Sequence, residues 1–460
     1  MKKILVSCVV LFLLNILHIN QSQAQDWQNS KSTTLHTQFP TDAYAQKVKV
    51  YANDYLVGIT KVAGVNHYGF VLWKNSDNIE VVSLLNTVNI IVNDFTFFQD
   101  EVYFCGKRLT NQGSYIGIIG HFNMNDFINV GNFNYEYTDV VNTENLTKII
   151  SYTNSFNENF ITAIGDGSTI IGTSGQIIEL NISNNNFIYQ HLIPSSSSQT
   201  QLEILNDLLY YENCVITLSN IYHANSYVIR YFKYNGNYLE NVESHIYTFP
   251  NTFFIFSSNP KEYPIHIADI SLDLFAVSVS ASDGLNNFSM INIHNKWAQN
   301  LYSSQILYHD DKEIQSLEME YSPLIKRLLL LNNSYFNGLG KIQTITYIDP
   351  FEINTYVTLM ENFNTPTQIN HFSLISSEHY AVAGTYSNPQ SNNNLQLFAT
   401  KNINYPFLSC LDKLILNIDQ ISTTNGTLLS NIGQPFILNT NWVPDNTFVN
   451  IENININCID

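Results

Sequence analysis

The chain has 460 residues, with 38 acidic side chains against 20 Lys and Arg, a formal charge of −18. That balance excludes nucleic acid as a partner, because phosphate binding needs a basic surface. It fits a solvated surface, and charged residues are scarce overall at 13%.

Residues 1–24 read as a secretory leader. Lys2 and Lys3 open it, the span from Ile4 to Ile19 is mostly apolar, and Ser22-Gln23-Ala24 sets small residues at a cleavage position. Asn15 and His18 break the run, so it is short for an anchor. Cys8 precedes most of the apolar run, which argues against lipid attachment there. No later segment is apolar enough to span a bilayer, so a soluble, exported protein is expected.

A three-strand pattern then recurs seven times. Inner segments begin at Gln46, Val92, Thr147, Gln201, Ile265, Gln315 and Asn370. Second strands begin at Asp54, Asp100, Glu158, Asn213, Asp273, Lys326 and Glu378; third strands at Gly69, Tyr115, Gly175, Tyr227, Phe288, Lys341 and Leu395. The second-to-third offsets are 15, 15, 17, 14, 15, 15 and 17 residues. Fourth strands are predicted in six copies, from Asn78, Phe127, Phe187, within Tyr238–Phe249, Leu301 and Ile353. No helical periodicity interrupts them. From Asp54 to Glu378 the six steps average 54 residues. Four antiparallel strands at that period predict an all-β chain, a seven-bladed β-propeller over residues 25–404, because one blade cannot bury both faces alone. The seventh copy lacks a fourth strand. Ser32–Gln38 has no other place, and is expected to close that blade and the ring. About sixty asparagines suit so many tight turns.

Residues 405–460 leave the repeat. They read as a small C-terminal β appendage or tail, with Cys410 near its start and Cys458 near its end. In an exported protein those two form a reasonable disulfide, closing a loop that would contribute roughly 4 kcal/mol. Cys105 and Cys214 fall on second strands of non-neighbouring blades and are expected as buried free thiols.

Local motifs for chemistry are missing: no His-Glu-x-x-His, no P-loop, no Gly-x-Ser-x-Gly and no Cys-x-x-Cys. No metal or other cofactor is expected, and no catalytic residue is assigned. A site in a propeller is assembled at the channel mouth from several inner strands. The candidates are Asp94, Glu203, Asp269, Glu318 and His371, as a polar ring or as a carboxylate pair. His266 reads as a partner of backbone groups.

The organisation resembles β-propeller proteins over residues 32–404, with blades nearer the kelch-like than the WD40-like length. There is no kelch Gly-Gly doublet and no repeated Trp-Asp. With its leader and its Asn-rich, Tyr-rich composition the chain resembles exported bacterial propellers. The resemblance does not carry a function; the expected one is a non-enzymatic binding or scaffolding protein that presents its faces to a protein or glycan. The alternative is a polysaccharide hydrolase or lyase with carboxylates at the channel mouth. The tail expectation has a direct check: a non-reduced digest should contain one peptide pair linked through Cys410 and Cys458.

Overall fold

The structure, a computed structural model, describes residues 30–35, 43–52, 55–62, 67–74, 79–84, 89–130, 134–169, 172–184, 187–193, 203–221, 226–236, 239–248, 254–255, 265–271, 273–282, 287–296, 301–307, 312–323, 326–336, 340–350, 360–363, 367–375, 379–387, 394–402, 424–427, 436–439, 443–445, 449–450 and 454–458. The expected leader (1–24) and Cys410 lie outside these residues.

The described strands fall into seven antiparallel sheets. From the inside outward, the first holds Ala43–Tyr51, Tyr55–Val62, His67–Lys74 and Ile79–Leu84. The second holds Ile90–Phe98, Glu101–Leu109, Tyr115–Asn123 and Tyr135–Val140. The third holds Asn145–Thr153, Asn159–Thr169, Gly172–Asn181 and Phe187–Ile193, and the fourth Glu203–Tyr211, Cys214–Ile221, Ser226–Tyr234 and Leu239–Thr248. In the fifth the inner position is split between Phe254–Ile255 and His266–Asp269, followed by Leu274–Ser282, Asn287–Asn295 and Leu301–Leu307. The sixth holds Lys312–Ser322, Arg327–Phe336, Gly340–Ile348 and Met360–Phe363. The seventh holds Thr367–Leu374, His379–Ser387 and Asn394–Asn402, and its outer strand is Ser30–Leu35 from the other end of the chain. Consecutive sheets pack on one another, and the seventh packs on the first. The result is an all-β propeller.

The burial patterns explain why these segments are strands of stacked sheets. Cys214–Ile221 is buried at every position, so both its faces meet a neighbouring sheet. Phe70, Phe95, Phe104, Phe122 and Phe127 fill the space between the first two sheets, with Phe70 and Phe122 centroids 4.9 Å apart. Each such ring contributes roughly 1.5–3 kcal/mol by burial. Ile216, Leu218, Phe275, Val277 and Met290 do the same between the fourth and fifth sheets. Cys105 and Cys214 are buried and free.

Two sequence expectations shift. The segment from Phe127, expected as a fourth strand, lies in a short helix, Met124–Val130, and the strand is Tyr135–Val140 instead. The Asn123 side chain caps the turn by accepting from Asn125 N at 2.9 Å, while Met124 and Phe127 turn into the core. In the sixth sheet the fourth strand is Met360–Phe363; residues 353–359, where it was expected to begin, are not among the described ones.

The tail strands do not pair with one another among the described residues. Thr424–Thr427 pairs with the outer strand of the fourth sheet, Phe436–Asn439 with that of the third, and Val443–Asp445 with that of the second. Val449–Asn450 joins the first sheet, and Ile454–Cys458 pairs with Ser30–Leu35 in the seventh. The tail thus visits the outer edges in reverse chain order, covering ladder groups that would template association. Ending the chain after Asn402 should lower the melting midpoint by at least about 3 °C and promote aggregation. Thermal unfolding and light scattering of the two lengths check this.

Candidate functional site

Each inner strand of six sheets carries one residue too many. Its register against the second strand slips between Ala45 and Lys47, Val92 and Asp94, Leu146 and Lys148, and Leu205 and Asp207. The same slip falls between Ser316 and Glu318 and between Ile369 and His371. Each is a β-bulge, which bends the strand and re-aims the next side chain. In all six the next side chain is ionisable. In the fifth sheet His266 opens the inner strand opposite Ser278.

In three of the six sheets the facing strand carries glycine opposite the residue before the slip. At Gly106, Gly165 and Gly384 a methyl group would stand 1.8, 2.0 and 2.1 Å from the carbonyl oxygens of Ile91, Asn145 and Gln368. No side chain fits there. Thr60, Ser219 and Asn332 hold the matching positions in the first, fourth and sixth sheets.

The bulges also tie sheet to sheet. Asn93 Nδ2 donates to Leu146 O at 2.6 Å and to Asn145 Oδ1 at 2.8 Å. Asn370 Nδ2 donates to Ala45 O at 2.8 Å, linking the last sheet to the first. Asp94 Oδ2 accepts from Ile149 N at 3.2 Å, Asp207 Oδ2 from Ile267 N at 3.2 Å and Glu320 Oε2 from Leu374 N at 2.7 Å.

The re-aimed side chains meet at the axis as a chain of ion pairs. Asp94 Oδ1 lies 3.5 Å from Lys47 Nζ and 3.0 Å from Lys49 Nζ. Lys148 Nζ is 3.6 Å from Asp207. His266 Nδ1 is 3.6 Å from Asp207 and 3.4 Å from Glu318, and His371 Nε2 is 3.4 Å from the other Glu318 oxygen. A cavity of about 410 Å³ opens among these groups. Its wall is completed by apolar atoms of Phe97, Leu208, Met319 and Leu374.

Burial and charge compete at each position. Burial pushes Asp94 up, but Lys47, Lys49 and Lys148 outweigh it and hold the carboxyl well below its usual range. Glu318 follows the same balance, with Lys148 the leading counter-charge. Asp207 is also lowered against burial, chiefly by Lys148. Burial pulls at the Lys148 ammonium, but Asp207, Glu318 and Asp94 more than offset it and raise it. Burial pushes Glu320 up to about 7 and pulls the His371 imidazole down to about 3.

Three of the five sequence candidates, Asp94, Glu318 and His371, belong to this ring. Glu203 does not. It is buried inside the fourth sheet, where it accepts from Arg230 Nε at 2.8 Å and from Ser219 Oγ at 2.6 Å. Asp269 sits past the ring on the exposed end of its strand and accepts from Lys296 Nζ at 2.6 Å. His266 is 4% exposed, yet neither ring nitrogen makes a well-formed hydrogen bond. It bridges two carboxylates rather than serving the backbone. Lys47, Lys49, Lys148, Asp207 and Glu320 were missed. Aligning the inner strands on the dipeptides Gln46-Lys47, Asn93-Asp94, Thr147-Lys148, Asn206-Asp207, Leu317-Glu318 and Asn370-His371 would have found all of these but Lys49 and Glu320. Among the described residues no group of three His, Cys, Asp or Glu is arranged to hold a metal ion.

No family model and no curated protein matches the chain. Among solved structures it is similar to the β-propeller domain of the Trilobed protease from Pyrococcus furiosus, at 7% identity over 79% of this chain and 98% of that one, with a TM-score of 0.46. It is similar to the polysaccharide lyase Uly1 at 7% identity, over 79% of this chain and 90% of that one, with a TM-score of 0.40. Oligopeptidase B from Leishmania major follows at 10% identity, over 77% and 48% of the two chains, with a TM-score of 0.41.

Lys148→Met would leave Asp207 and Glu318 short of a counter-charge. At pH 7 the loss of stability should be about 1–3 kcal/mol, below the roughly 3–5 of a fully enclosed pair because water reaches the cavity. Both carboxyls are lowered in the native state, so their contribution is present above the ordinary carboxylate range and is lost as pH falls. The gap between the variant and the parent should therefore narrow from pH 7 to pH 3 in denaturant titrations.

Proposed function

We propose that this chain is a non-enzymatic binding protein, exported from the cytoplasm, that holds a ligand at the ring axis and presents its faces to a protein or glycan. We read its seven sheets as seven blades of kelch-like length. The observation that supports binding over catalysis is the pairing of three of the four acids at the axis; the fourth, Glu320, is raised to about 7 and its Oε2 accepts from Leu374 N. Asp94, Asp207 and Glu318 each already face a Lys or a His within 3.6 Å. Asp207 and Glu318 flank the same imidazole nitrogen, so that ring, rather than a substrate bond, lies between them. Glycoside cleavage needs two carboxyl groups facing each other across the scissile bond, one protonated and one ionised. A wall of paired charges instead offers fixed donors and acceptors to a polar ligand.

The test is a panel of immobilised glycans, polysaccharides and extracellular protein preparations, scored for both retention and product release. Retention without products is expected, weakened at least tenfold by Lys49→Met or Glu320→Gln. Product release that disappears in Glu318→Gln would show an enzyme instead. Retention indifferent to both cavity variants would show that the axis is not the site.

A further inference from the structure

The charges at the axis are sorted, not mixed. The first three sheets contribute Lys47, Lys49 and Lys148 around a single carboxylate, Asp94. The remaining four contribute Asp207, Glu318 and Glu320 with the imidazole of His371, while His266 contacts Asp207 and Glu318 without lining the cavity. Because the sheets follow chain order around the ring, these two sets occupy adjoining arcs of one wall, which meet where Lys148 lies 3.6 Å from Asp207. The cavity therefore carries an ammonium-rich side and a carboxyl-rich side across about 410 Å³.

That polarity selects among ligands. A simple anion would meet the lysines but would also face three carboxyl groups at short range. A simple cation would meet the reverse. A molecule with both charges satisfies both arcs and adds no net charge to a region whose own charges nearly balance. At such distances in partly buried surroundings, each matched contact outweighs the same contact in water. The size lies at the lower end of small-molecule sites. A second, independent feature points to an occupant: Nδ1 of His371, a buried residue of the cavity wall, has no hydrogen-bond partner among the described residues, which buried polar groups rarely tolerate.

We propose that the axial cavity binds a small zwitterion of the free amino acid kind, with its carboxylate on the Lys47, Lys49 and Lys148 arc and its ammonium on the Asp207, Glu318 and Glu320 arc. The proposal rests on the binding reading above and adds the ligand class.

Calorimetric titration of the full chain with a panel of free L-amino acids tests it. The matched N-acetyl and C-amide derivatives serve as one-charge controls. At least one amino acid should bind saturably, and capping either end should weaken it at least tenfold, about 1.4 kcal/mol. Lys49→Met should remove the penalty for amidation but keep that for acetylation. Glu320→Gln, which keeps an acceptor for Leu374 N, should do the reverse. Circular dichroism confirms that each variant is folded, and Lys47→Met replaces Lys49→Met if the latter is not. Failure of every amino acid to bind, equal binding of capped forms, or indifference to both arcs overturns the proposal. Glycan retention that depends on the cavity, with no amino acid bound, would overturn the zwitterion and leave the binding reading standing.

Discussion

One inserted residue per inner strand governs the centre of this molecule. A strand without a bulge alternates its side chains between the two neighbouring sheets, and none is aimed at the axis. The slip before Lys47, Asp94, Lys148, Asp207, Glu318 and His371 breaks that alternation. The burial pattern records it: Ile90–Phe98 and Glu203–Tyr211 share the same sequence of alternation followed by two consecutive buried residues, Asp94-Phe95 and Asp207-Leu208. The same insertion sets the bulged asparagines against the next sheet, and in three of the six sheets a glycine, Gly106, Gly165 or Gly384, closely faces it. Site and inter-sheet bonds follow from one local irregularity.

Bringing nine ionisable groups to one axis is unfavourable unless their charges compensate. Desolvation opposes every ion at the axis, and an unpaired one would shift its proton instead. Lysines beside Asp94, and Lys148 beside Asp207 and Glu318, keep those carboxylates ionised. Glu320 is the counter-example, with burial dominant and its carboxyl raised to about 7. Elsewhere a buried acid meets the same choice by a different route. Glu179 lies between sheets with the Tyr152 hydroxyl 2.5 Å away and no cation beside it, and burial raises it to about 8. Paired acids at the axis stay charged, and an unpaired one in the wall keeps its proton near neutrality.

The periphery solves the opposite problem. A ring of sheets has outward edges whose backbone groups are free to pair with another chain. Here the chain uses its own two ends. Ser30–Leu35 completes the seventh sheet, and the short strands of 424–458 lie along five outer edges. Among the described residues those strands pair with different sheets and not with one another, so their backbone pairing depends on the assembled ring. Its sequence, runs of four or five β-prone residues between Asn, Gly and Pro turns, suits a strap better than a domain with its own core.

The sequence alone determined the architecture. Strand offsets depend on local hydrogen-bonded pairing, which repeats at fixed spacing, so seven copies were visible before any contact was known. It also pointed to polar groups on inner strands, and Asp94, Glu318 and His371 were legible because their charge stands out in apolar surroundings. Register was not legible. Glu203 and Asp269 lie on the same strands as Asp207 and His266, but a shift of three or four residues moves a side chain from the axis into a sheet or out to solvent. Only the tertiary structure decided which carboxyl reaches the axis, because a bulge is defined by the partner strand and not by the strand that contains it. It also decided where the tail goes, since edge pairing is a backbone interaction that leaves little mark in side-chain sequence.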